Sequence, residues 1–387
     1  MSGLAHAPAA PLYIGLMSGT SLDGVDGVLV SIPADYAGGA LPLLATSYTA
    51  FPPDLRTELL ALQAPGNDEI AREAQTANKL AHLYAECIRH LLTQSGKTPS
   101  EITAIGVHGQ TIRHRPDVGF TRQSNNPALL AELSGISVVA DFRSRDIAAG
   151  GQGAPLVPAF HQMFFRHADK ATVIVNIGGI ANVSILHAPG KTGGFDTGPG
   201  NVLMDTWIQK NRNLPYDEGG KWALTGKTQE ALLAEMRKEA FFHLPPPKST
   251  GRDLFNAEWL GRQLRAFPGV MALDPADIQA TLLALTGSSI TSAIHLHAPA
   301  TERVIVCGGG ARNGALMQWL RDRLQQIRQD ITVQTSDDIG ISAAHVEALA
   351  FAWLAHRFVC RLPGNLPAVT GARGARILGA LYPGGPT

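Results

Sequence analysis

Cysteine is scarce in this 387-residue chain: Cys87, Cys307 and Cys360 are the only three, and no two form a CxxC pair. That pattern offers no disulfide framework and no thiolate zinc site, so the three are expected to be small buried hydrophobes in a reducing compartment. Net charge is also lacking, with 32 basic residues against 32 acidic. No basic stripe stands out, so nucleic-acid binding has no electrostatic support. No apolar run is long enough to span a bilayer. The start of the chain has neither the basic residues nor the apolar stretch of a signal peptide. Residues 1–11 are rich in Ala and Pro and are expected to be a loose leader. These absences lead to the expectation of a soluble cytoplasmic protein without membrane or nucleic-acid partners. The familiar phosphate and hydrolase motifs are missing too. The nearest approach to a Walker A motif, Gly220 to Gly226-Lys227-Thr228, has five intervening residues (221–225) where the motif needs four. The glycines after Cys307 lack GxGxxG spacing, and there is no HExxH and no GxSxG.

What is present suits a folded α/β chain. Hydrophobic residues make up 45% of it, enough for a sizeable core, and the 41 glycines and 25 prolines are scattered among periodic segments. The length suggests two domains or two lobes of one fold. Residues 12–32, LYIGLMSGTSLDGVDGVLVSI, read as strand, tight polar turn, strand. The turn holds glycines that let backbone N–H groups approach an anion, hydroxyls that can donate to phosphate oxygens, and two acids, Asp23 and Asp26. An acid there could hold a hydrated Mg²⁺. An ordinary polar hairpin is the competing reading.

Further along, the spacing of apolar residues predicts a helix over 67–95 stopped by Gly96, and a strand over 102–107 ending in His108-Gly109-Gln110-Thr111. Polar residues just beyond a strand end are where ligands sit in open α/β sheets, so His108, Gln110 and Thr111 are candidate site residues. A strand over 138–142 leads to Arg143, Arg145 and Asp146 and then a glycine-rich loop; arginine is the planar donor suited to carboxylate or phosphate. Residues 172–186 repeat the opening plan of strand, Gly178-Gly179 turn, strand. In Gly194-Phe195-Asp196-Thr197-Gly198-Pro199-Gly200-Asn201, a single acid is framed by glycines ahead of a helix over 202–210, and a helix start can hold an anion. Residues 213–256 read as irregular around a helix over 228–241. A long helix over 274–297, a buried strand over 304–307 ending in Gly308-Gly309-Gly310, helices over 315–327 and 343–360, and a Pro/Gly-rich tail complete the pattern.

These glycine stations, in this order, resemble the actin-like ATPase superfamily. The chain is most similar to the anhydro-N-acetylmuramic acid kinase family, through MSGTSLDGVD (17–26), GVHGQTIRH (106–114), ADFRSRDIAAGGQGAPLVP (140–158), NIGGIANVS (176–184), GFDTGPGN (194–201) and CGGGARN (307–313). The resemblance implies a two-lobed α/β fold of the ribonuclease H-like, actin-like ATPase type with an ATP cleft between lobes 1–145 and 146–387. It implies ATP and Mg²⁺ as cofactors. The first phosphate segment would comprise Gly19, Thr20, Ser21, Leu22, Asp23, Gly24, Val25 and Asp26, and the second Gly178 and Gly179. Gly308, Gly309 and Gly310 would lie on the adenosine side. Asp196 matches the catalytic base and Glu347 an acid facing the substrate. His108, Gln110, Arg143 and Asp146 are expected to bind the sugar, and Asp23, then Asp26, to hold the metal. A homodimer acting in cell-wall recycling is implied as well. An ordinary hydroxyl-sugar kinase, a non-enzymatic chaperone or sugar-sensing homologue, and an inactive relative stand as alternatives.

Overall fold

The computed structural model describes residues 10–19, 22–39, 41–165, 170–187 and 192–385. Its strands, in chain order, are β1 (Leu12–Met17), β2 (Gly24–Ser31), β3 (Leu43–Ala50), β4 (Ile102–Val107), β5 (Gln110–Arg115), β6 (Phe120–Ser124), β7 (Val138–Ala140), β8 (Thr172–Ile177), β9 (Ile180–Leu186), β10 (Thr192–Pro199), β11 (Arg303–Cys307), β12 (Thr332–Thr335) and β13 (Ala380–Tyr382). They form two large sheets and a small β5-β6 ribbon. The first sheet runs β13-β7-β4-β1-β2-β3 and the second β10-β9-β8-β11-β12.

The two sheets share a plan. In the first, β1, β2 and β3 are antiparallel neighbours and β4 joins β1 in parallel. In the second, β8, β9 and β10 are antiparallel neighbours and β11 joins β8 in parallel. Each sheet thus begins with a tight hairpin next to a parallel strand. Buried strands such as β8, TVIVNI, read as continuous apolar runs because both faces are covered. The anticipated division after residue 145 is crossed by the tail, since β13 pairs with β7 in the first sheet.

A pair of glycines brings the tail helix Val346–Val359 onto the first sheet. Gly15 of β1 and Gly106 of β4 are register partners. A Cβ on Gly15 would overlap the carbonyl of Ala348, and one on Gly106 the carbonyl of Phe351. The helix meets these glycines with Ala348, Ala352 and Ala355. Small residues on both sides allow the backbones to approach, and the helix start, with Glu347, is thereby fixed against the sheet ends.

Elsewhere the structure departs from the sequence expectations. The glycine-framed stretch Gly194–Asn201 lies for most of its length in a strand: residues Thr192–Pro199 form the edge strand β10, with a bulge between Asp196 and Gly198. Pairing with β9 outweighs the glycines' intrinsic preference, and Gly198 takes φ +146°. The helix expected over 228–241 spans only Glu230–Met236, and helices Pro53–Ala61, Val157–Phe164 and Ala257–Ala266 were not anticipated. Among the described residues no helix is long and apolar enough to cross a membrane.

Candidate active site

Asp196 is the buried acid of the second sheet's edge, 6% exposed. Its Oδ2 accepts the backbone N–H of Thr250 at 2.9 Å, and its own N–H donates to the carbonyl of Lys248 at 3.2 Å. Among the described residues Oδ1 takes no hydrogen bond, which leaves it available to a ligand. Burial pushes the Asp196 carboxyl up to about 7, while the Thr250 N–H and the charges of Arg143 and Lys248 pull it back. An acid poised near neutrality can exchange a proton with water at working pH.

Arg143 is the cation that faces it. Burial lowers its pKa, and Asp196, Glu347 and Asp146 oppose that fall. Its Nη1 donates to the carbonyl of Gly153 at 2.8 Å and its Nε to His108 Nε2 at 3.0 Å. His108 must therefore present an acceptor at Nε2, which is the neutral ring. Burial first and Arg143 second hold its pKa well below the ordinary range. Glu347 Oε1 accepts Asn176 Nδ2–H at 3.1 Å, tying the tail helix to β8 of the other sheet. Burial raises the Glu347 pKa, opposed by the Asn176 hydrogen bond and Arg143. Asp26 rises to about 7 through burial, then the neighbouring charges of Asp23 and Glu347, with Arg312 opposing. Four expected residues, Asp196, Arg143, Glu347 and Asp26, are thus brought into one electrostatic neighbourhood, and Asp23 stands exposed at its edge.

Several other expected residues have supporting places instead. Leu22 is 1% exposed and Val25 is fully buried, so their side chains belong to the core of the first lobe and only their backbone could meet a ligand. Leu22 takes φ +56°, an uncommon conformation for a leucine at a tight turn. Gln110 is completely buried, and its Nε2 donates to the Gly19 carbonyl at 3.0 Å. It props the first hairpin through this bond, while its Oε1 is buried with no partner among the described residues. Thr111 is half-buried on β5 and accepts from Gln123 Nε2 at 3.2 Å. Asp146 is also completely buried: Oδ2 accepts Gly153 N–H at 2.8 Å, and Oδ1 accepts Asn365 Nδ2 at 2.6 Å and Thr370 Oγ1 at 2.8 Å. With three donors inside the protein on its two oxygens, it anchors the 143–153 loop to the tail. Thr20 and Ser21 lie outside the described residues.

The glycines divide in the same way. A side chain on Gly19 would meet nothing within 4 Å, and one on Gly178 would meet only the Ile180 carbonyl at 3.6 Å. Both hairpin tips are therefore open to a ligand's close approach. Gly24 is closed in by Thr49 and Tyr48. Gly308, at φ +79°, is closed in by Asn176 and Ile177, and Gly310 packs on Ile177, whereas Gly309 is exposed. The carbonyls of Gly178 and Gly179 accept the N–H groups of Gly200, Asn201 and Val202 at 2.8 to 3.1 Å. The residues leading into the Val202–Arg212 helix, and its first N–H group, are thereby tied to the second hairpin.

Thr250 and Lys248 lie in a stretch without a motif, and no residue pattern marks them as site residues. Ser249 between them accepts or donates toward His114 at 3.4 Å and donates to Gln152 Oε1 at 3.3 Å, so this segment closes over the first lobe's ribbon. Asn176 and Arg312 sit inside quoted motifs and could have been found there.

The model of the anhydro-N-acetylmuramic acid kinase family matches residues 11–384. The chain belongs to that family. A relative named anhydro-N-acetylmuramic acid kinase from Cupriavidus pinatubonensis is 54% identical over 378 residues, covering 96% of this chain and 98% of that one. Similarly named proteins of Cupriavidus metallidurans and Ralstonia nicotianae are 53% identical over 388 residues and 54% identical over 380, each covering 97% or more of the relative. In this kinase-family chain, the buried Asp196 and the open hairpin tips lie in the motifs that carried the resemblance.

Proposed function

We propose that the protein is an ATP-dependent kinase of 1,6-anhydro-N-acetylmuramic acid. In this reading it opens the 1,6-anhydro bridge with water and places the γ-phosphoryl group of ATP on O6, giving N-acetylmuramic acid 6-phosphate and ADP. The observation that carries it is Asp196, a buried carboxylate with one oxygen held by Thr250 and a pKa near 7, in a chain of this family.

The chemistry follows from these residues. A water oxygen attacks the anomeric carbon, the bond from that carbon to O6 breaks, and O6 bonds to the γ-phosphorus as its bond to ADP breaks. The attacking water loses a proton, and Asp196, when ionised, takes it. General-base help of this kind is worth roughly 10²–10⁴-fold. Here the phosphoryl acceptor chemistry replaces the proton that an ordinary glycosidase acid gives to the leaving oxygen. Arg143, fixed by His108 and Gly153, meets the lactyl carboxylate of the sugar. Gly19 and Gly178 admit the phosphates to backbone N–H groups at the two hairpin tips.

Mg²⁺ suits the acids present. Asp23 and Asp26 repel one another electrostatically at the first hairpin, which a divalent cation relieves. Among the described residues no group of three or more acid, histidine or cysteine side chains converges as a metal cage. That is the pattern Mg²⁺ uses, one or two carboxylates plus water and substrate phosphates. Asp23 and then Asp26 would hold it, and the chemistry it would supply is neutralisation of charge on the phosphate oxygens.

The reading includes a cytoplasmic homodimer that recycles cell-wall fragments, supported by the family resemblance; light scattering after gel filtration reads the dimer. The activity is tested by ADP release in a coupled assay. Release that depends on the anhydro sugar supports the proposal. Release only with an unbridged sugar, or none with any sugar, contradicts it.

A further inference from the structure

Three arginines, Arg145, Arg361 and Arg376, line a solvent-open cavity of about 360 Å³ together with Phe358 and Ile377. No ion pair among the described residues involves any of the three. The chain as a whole is neutral, so this concentration of unneutralised positive charge is local. It is also built from three separate places in the sequence. Arg145 is on the short helix Ser144–Ala148, Arg361 follows the Val346–Val359 helix, and Arg376 is in the tail.

Arg361 sits where a glycine usually ends a helix. It takes φ +56°, and the next residue, Leu362, donates its N–H back to the Arg357 carbonyl at 2.8 Å. The carbonyl end of that helix accounts for one nearby cation; it does not account for three. Arg376 is held at its backbone, where its N–H donates to Asn365 Oδ1 at 2.7 Å. Its Nη1 reaches only the carbonyl of Ala375. The same Asn365 donates to Asp146, so the cavity wall is fastened to the buried anchor of the 143–153 loop. Arginine forks match the oxygens of phosphate in pairs, and the apolar lining residues suit contact with a small ring. The concave shape and small volume favour a small anion over an extended polyanion.

We propose that this cavity, whose lining shares no residue with the candidate active site, is a second anion site that takes a phosphomonoester. The test uses the full-length protein with its cleft filled by Mg²⁺, a non-hydrolysable ATP analogue and the anhydro sugar. Inorganic phosphate and glucose 6-phosphate are titrated into it by calorimetry. The expected result is saturable binding of both probes, tighter for the sugar phosphate because Phe358 and Ile377 meet its ring. In R361A/R376A that binding falls by about tenfold or more per arginine removed, while melting temperature and turnover stay at wild-type values. Should the double variant fail to fold, R361K/R376K keeps the charge and removes the forks, and a partial weakening is expected. Equal tightness for the two probes would mean the phosphoryl group alone is recognised, still at this site. Unchanged affinity in the arginine variants, or no binding of either probe at about 10 mM, overturns the proposal.

Discussion

The backbone N–H of Thr250 donates to Oδ2 of Asp196 at 2.9 Å, which joins a segment without recognisable motif to the one acid that the chemistry needs. The bond fixes one carboxylate oxygen, and among the described residues the other takes no hydrogen bond. It also lowers the pKa of a group that burial alone would raise further. A base near neutral pH is thus obtained from two opposing effects, with burial the larger.

Replacing this base while keeping its shape separates binding from chemistry. In Asp196→Asn the amide oxygen can still accept from Thr250, so KM values for sugar and ATP are expected to change little. Turnover is expected to fall by roughly 10²–10⁴-fold. Steady-state kinetics with calorimetric binding of both substrates checks this. A variant that turns over at near wild-type rate would assign the base elsewhere.

The pH profile should follow the same group. Activity requires ionised Asp196, so kcat/KM is expected to rise with pH through about 7 and then level off. Stability runs the other way. The folded carboxyl has a pKa above its ordinary 3.8, so its contribution is fully present when protonated and is lost as pH rises from about 4 to about 7. Asp196→Asn is therefore expected to melt higher than wild type at pH 8 and to lose that advantage near pH 4. Melting curves at the two pH values decide it.

Gly106 tests how Glu347 is positioned. A methyl at Gly106 would overlap the Phe351 carbonyl, so Gly106→Ala must push the Val346–Val359 helix off the first sheet. Overpacking of this kind costs about 1–3 kcal/mol. Denaturant unfolding is expected to register that loss, and turnover should drop because Glu347 leaves Asn176. Gly19→Ala, at a tip where no atom lies within 4 Å, should leave stability nearly unchanged and raise KM for ATP.

Asp146 is expected to behave as a structural residue. Asp146→Ala strands Asn365, Thr370 and the Gly153 N–H without their buried acceptor. Each buried group left unsatisfied costs about 1–3 kcal/mol. Loss of stability with a raised KM for the sugar, from the loosened Arg143 loop, is the predicted pair of effects. A large fall in kcat at unchanged stability would place Asp146 at the substrate after all.

How much of this could be read from the chain differs from residue to residue. The hairpin at 12–32 was legible because its alternation and turn residues are local. Glu347 enters through the family resemblance, on a helix whose apolar pattern is local. Asp196 is marked by the motif that carries the resemblance, but its setting is not local: only the ladder with β9 makes this glycine-rich stretch a strand. Asp146 looked like a site residue because its partners are invisible locally, Asn365 and Thr370 lying 219 and 224 residues away. Gln110 and Leu22 were likewise read by neighbourhood in sequence, whereas burial decides which way their side chains point. Thr250 carries its role through a backbone N–H, which any residue but proline possesses, so no residue type could have announced it.

The most direct test of the account is the origin of the oxygen at C1. The protein is incubated with 1,6-anhydro-N-acetylmuramic acid and Mg²⁺-ATP in oxygen-18 water, and the product is weighed by mass spectrometry. Attack by water activated at Asp196 predicts a ring-opened sugar phosphate with one heavy oxygen at C1. A phosphorylated sugar without that label would contradict it and make the protein an ordinary hydroxyl-sugar kinase.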